Sequence, residues 1–97
     1  MFGWLDAKAA KQFGGELAQF FIEKMPPGAQ LNESKHASKT QYVLDKMAVK
    51  ITAFQRDEQL NALRRAKLAN EFKWRLNDAG YDKEYVETLV AWLVNKL

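Results

Sequence analysis

The sequence predicts an all-α fold: a small, mostly antiparallel four-helix bundle built as a single domain over residues 1–97. Apolar residues recur at helical spacing in every segment that carries a pattern. Prolines and glycines fall where those patterns stop, at Pro26-Pro27-Gly28 and at Gly80. The composition, 47% hydrophobic and 28% charged over 97 residues, is that of one ordinary globular core.

The first helix is expected over about residues 5–25. Ala9, Phe13, Leu17, Phe20 and Phe21 share one side, and Lys8, Gln12, Glu16, Gln19 and Glu23 share the other. Asp6 suits its N-cap, since a carboxylate there accepts from the free amides of the first turn. Pro26 and Pro27 end it, because neither can donate a helical hydrogen bond. Gly14 and Gly15 inside this helix cost roughly 1 kcal/mol each relative to alanine, so something should offset them. Ala10, Gly14 and Ala18 recur every four residues at the edge of the apolar side. They predict a close helix approach within the bundle, with a dimer seam or a hinge as the alternative. Gly15 lies on the polar side without an evident reason.

Residues 29–39 lack a hydrophobic period and are read as a loop. The second helix is expected over about 39–55, with Ser38 and Gln41 at capping-box spacing. Val43, Leu44, Met47, Ile51 and Phe54 give it a clean apolar face. No glycine or proline interrupts Ser38 to Gly80. The apolar stripe nevertheless meets Glu58, Asn61 and Arg65, so a turn is placed within Gln55–Leu60, with Asp57 or Asn61 capping a third helix over about 60–78. Gly80 suits a left-handed C-cap, and a fourth helix follows over about 82–96. The short Gly80-Tyr81 link makes the last two helices a hairpin; its pattern is generic and points to no family. Ten residues are expected to be largely buried: Phe13, Leu17, Phe20, Met47, Ile51, Phe54, Phe72, Leu76, Leu89 and Leu93.

Composition narrows the function classes. With no cysteine there can be no disulfide, thiolate metal site or thiol nucleophile. No phosphate-binding glycine loop, metal-ligand spacing or evident nucleophile and base pair is present, so the expectation is a protein that is not an enzyme and has no metal or cofactor. The start of the chain lacks the features of a secretion signal, and no apolar run approaches the roughly 20 residues of a membrane span. A cytoplasmic protein is expected. The first helix has aromatic residues suited to a membrane surface, but its polar side carries Glu16 and Glu23 where such helices place lysine or arginine. No membrane partner is therefore expected.

The formal net charge is +3, and the excess is concentrated: residues 61–80 carry five bases against two acids. Such a bias falls below the dense basic stripe of a dedicated nucleic-acid binder. The third helix also shows a second apolar side, Leu60, Leu63 and Trp74, beside the one carrying Leu68, Phe72 and Leu76. Tryptophan and arginine dominate interface hot spots. Leu63, Arg64, Lys67, Trp74 and Arg75 are therefore the candidate protein interface. Lys35, His36 and Lys39, just ahead of the expected second helix, are a candidate anion contact through its N-terminal amides. The favoured function is a helical protein-interaction or assembly module, with self-association among its forms. The alternative is a weak, mainly electrostatic nucleic-acid binder using Arg64, Arg65, Lys67, Lys73 and Arg75.

Overall fold

A computed structural model describes residues 7–28 and 33–97. Among those residues the chain forms four helices and no strand: α1 (Lys8–Lys24), α2 (Glu33–Asp57), α3 (Ala62–Ala79) and α4 (Lys83–Lys96). This is the expected small four-helix bundle. Asp6, expected as the first N-cap, lies outside the described residues; the helix starts from Ala7. Asn61 caps α3, its side chain accepting from the Arg64 amide at 2.9 Å. Gly80 closes α3 in the left-handed region at φ 100°, where a β-carbon would be strained.

The second helix departs most from its expected bounds. It begins at Glu33, so Ser34 to Lys39 are helical, and Ser38 is an exposed residue inside α2 rather than part of a capping box. The physical reason lies on α4. His36 and Thr40 continue the inward stripe of Val43, Met47 and Ile51 by two further turns, and both meet Tyr85. A half-buried imidazole and hydroxyl supply packing there that hydropathy scores as polar.

Successive helices alternate in direction, which leaves α1 parallel to α3 and α2 parallel to α4. The α1–α3 pair is the most intimate in the molecule. Gly14 meets Leu68 near one end and Met25 meets Tyr81 at the other. A β-carbon at Gly14 would overlap the Leu68 carbonyl oxygen and sit 3.0 Å from its carbon. Ala10 and Ala18, one turn either side, are buried. The small residues thus seat α3 of the same chain rather than a second molecule, and this backbone approach offsets the helical cost of Gly14. Gly15 is explained too. It is buried beneath the Arg75 guanidinium, whose Nη2 would lie 3.2 Å from an added β-carbon.

The core consists of Leu17, Phe21 and Met25 from α1 and its end, Val43, Met47 and Ile51 from α2, Leu68, Phe72 and Leu76 from α3, and Val86, Leu89 and Leu93 from α4. No polar or charged residue is buried among the described residues. Phe13, Phe20 and Phe54 are only half-buried, against expectation. They lie in the α1–α2 seam, where the helices stand farther apart. Phe13 and Phe54 fill the gap as a stacked pair 4.2 Å between centroids, while the Lys50 ammonium covers Phe20 at 4.8 Å. At the far end, Gln55 Nε2 donates to the Lys96 and Leu97 carbonyl oxygens at 3.2 and 3.3 Å, tying α2 to the end of α4.

Candidate functional site

Helix α3 turns Leu68, Phe72 and Leu76 inward, and these are fully covered. The helical period then directs Leu63, Lys67 and Trp74 away from the core along a single line. Trp74 is 58% exposed and Leu63 38%. Leu63 and Trp74 of the second apolar side therefore face solvent, whereas Leu60, which precedes α3, is half-buried against the core. Arg65, which intrudes on the inward side in a sequence projection, is exposed.

The arginines beside this line are held by the protein itself. Arg75 Nε donates to Glu71 Oε2 at 2.8 Å, and its Nη2 lies over Gly15. Arg64 Nη1 donates to the Gln59 carbonyl oxygen at 2.6 Å, bending the side chain back over the α2–α3 connection. Lys67 is exposed and Lys73 half-buried. The candidate interface thus consists of a central exposed line of Leu63, Lys67 and Trp74. Arg64 and Arg75 flank it, their geometry set by local bonds. Glycine-to-arginine stacking was invisible to a helical projection, because it depends on α1 and α3 running parallel at close range.

Lys35, His36 and Lys39 sit within the first turns of α2 instead of ahead of it. Lys35 and Lys39 are exposed, while the His36 ring tilts against Tyr85 at 6.1 Å between centroids. The three do not converge on one point. His36 instead lines a cleft of about 400 Å³ at the end where α1 meets the α3–α4 turn, with Met25, Pro26, Pro27, Tyr81, Asp82 and Tyr85 among its walls. No single sequence segment carries this cleft, so sequence reading missed it. It arises from the juxtaposition of Pro26-Pro27-Gly28 with Gly80-Tyr81-Asp82.

Two tyrosines organise that end. Tyr81 and Tyr85 stack 5.9 Å apart, both pack on Phe21, and the Tyr81 hydroxyl donates to the Met25 carbonyl oxygen, latching the end of α1 to the start of the hairpin. Burial, with Tyr85 close by, pushes the Tyr81 pKa up to about 12. Burial also raises that of Tyr85, and the neighbouring Thr40 hydroxyl opposes the rise. A tyrosine whose folded pKa exceeds its unfolded value near 10 favours the fold below pH 10. That contribution is lost as the pH climbs through the folded value. Urea titrations should accordingly show stability falling between about pH 10 and 12. The fall should be shallower in Tyr81→Phe, which cannot ionise; an unchanged slope in that variant would place the titration elsewhere.

Among the described residues there is no group of three or more His, Cys, Asp or Glu placed to hold a metal ion, and no helix is long and apolar enough to cross a membrane. Comparison with protein-family models, with curated proteins and with solved structures finds no match.

Proposed function

We propose that this chain is a helical protein-interaction module that engages a foreign protein through the outward face of α3. The observation carrying this reading is the exposed line of Leu63, Lys67 and Trp74 on a helix whose other side is already fully committed to the core. A tryptophan more than half exposed, with an aliphatic residue on the same face and arginines at its margins, has the composition of an interface centre and rim. The module acts by binding and has no catalytic step.

The nucleic-acid alternative draws on the five bases of residues 61–80. Phosphate binding needs cations free to reach the backbone. Arg75 is engaged by Glu71, and Arg64 is directed onto Gln59. This arrangement favours the protein reading.

The test compares wild type with Trp74→Ala and with Arg64→Glu/Arg75→Glu. Proteins captured by wild type should be lost with Trp74→Ala, and mixed DNA and RNA oligonucleotides should bind no tighter than roughly 100 µM at physiological salt, the weak end of non-specific binding. Micromolar, salt-sensitive oligonucleotide binding abolished by the double arginine change, with protein capture indifferent to Trp74, would replace this reading by the nucleic-acid one.

A further inference from the structure

Among the described residues the most exposed large apolar side chains lie on α2, not α3: Val49 is 69% exposed and Tyr42 60%. They stand two turns apart on the side of α2 opposite Val43, Met47 and Ile51, which are buried. Asp45, Lys46, Thr52, Ala53 and Arg56 share that outward face and are all exposed, with the Lys46 ammonium lying over the Tyr42 ring. Beside Val49, a shallow cleft of about 350 Å³ runs between Ala48, Thr52, Ala53 and Arg56.

The order of these groups along the helix is self-complementary. Asp45 and Tyr42 lie toward the N-terminal side of Val49, and Arg56 lies on the C-terminal side. We propose that this face of α2 docks against the same face of a second copy of this chain, antiparallel, with the two-fold axis passing at Val49. That register sets Tyr42 opposite the second copy's residue at position 56. Asp45 then sits three residues, about 4.5 Å of helix rise, from the same guanidinium. Each Arg56 would meet one tyrosine ring and one carboxylate across the interface, twice over by symmetry. A parallel arrangement sets Asp45 against Asp45 and Arg56 against Arg56, and is disfavoured by like charge. The groups are available for this. Asp45 accepts only from Gln41 of its own turn, at 2.8 Å, and Tyr42 has Lys46 over its ring at 5.4 Å, which leaves a second face open. The small side chains of Ala48, Thr52 and Ala53 allow the helices to approach.

A single pair of helices buries less than the roughly 1,200 Å² of a standard stable interface, so the dimer is weak and concentration-dependent. This inference does not depend on the α3 reading, since the two faces belong to different helices and either can fail alone.

The protein has no cysteine, so a single introduced thiol reports on its own. Three variants, Val49→Cys, Trp74→Cys and Val94→Cys, all at exposed positions, are oxidised with oxidised glutathione at high protein concentration. Val49→Cys should form the disulfide-linked dimer at least about tenfold faster than the other two, because only a residue on the axis meets itself. In the Val49→Cys background, Arg56→Glu should slow cross-linking several-fold, and adding Asp45→Arg should restore it. Sedimentation equilibrium of the wild type should show a reversible monomer–dimer exchange. Equal rates at the three positions, fastest linkage at Trp74→Cys, no response to Arg56→Glu, or a strict monomer at roughly millimolar concentration, the weak limit of specific affinity, would each overturn the proposal.

Discussion

Gly14→Ala should destabilise the fold, although alanine is the better helix former. The substitution contributes about 1 kcal/mol of helix propensity. Against this, its β-carbon would occupy the space of the Leu68 carbonyl oxygen, a backbone atom that cannot rotate away. Because the obstructing atom is backbone, the cost should lie at the upper end of the roughly 1–3 kcal/mol of overpacking, which less the helix gain leaves a net loss of about 2 kcal/mol, read as a lower urea midpoint. Gly14→Leu should not fold. Gly15→Ala is the internal control: its β-carbon meets only the far end of the Arg75 side chain, which has to give by a few tenths of an ångström. It should be neutral or up to about 1 kcal/mol more stable. Equal effects of the two alanines would mean that α1 and α3 do not approach as closely as described.

Phe72→Ala should be the most damaging truncation on α3, and Trp74→Ala among the least, although tryptophan is the larger side chain. Phe72 is fully buried at the centre of the core, where emptying the site costs about 3–5 kcal/mol. Trp74 faces water, and changes at exposed positions usually stay within about 0.5 kcal/mol. For a domain whose total stability is about 5–15 kcal/mol, Phe72→Ala alone removes a large share of it. Thermal and urea denaturation of the two variants measure the difference directly. A Trp74→Ala loss comparable to that of Phe72→Ala would place Trp74 in the core and remove the basis for the proposed interface. Phe54→Ala should fall between them, because Phe54 is half-buried and stacked on Phe13.

Local chemistry made much of this fold legible in the chain itself. Pro26-Pro27, Asn61 and Gly80 act on their own neighbours through a missing amide, a side-chain acceptor and a permitted left-handed backbone, so turns and caps there need no distant partner. The 3.6-residue period likewise separated Leu68, Phe72 and Leu76 from Leu63 and Trp74, and the structure places the two sets on opposite sides of α3.

Other features were decided by tertiary structure. The start of α2 depends on His36 and Thr40 finding Tyr85, some 45 residues away in the chain. The half-burial of Phe13, Phe20 and Phe54 depends on how far α1 and α2 stand apart, which periodicity does not encode. The role of Gly15 and the restraint of Arg75 exist only because α1 and α3 run parallel in near contact. Propensity and hydrophobic spacing are properties of one helix and can be read from one segment. The distance and direction between helices are settled by how all the side chains pack together, and on those the fit of a glycine or the exposure of a tryptophan depends.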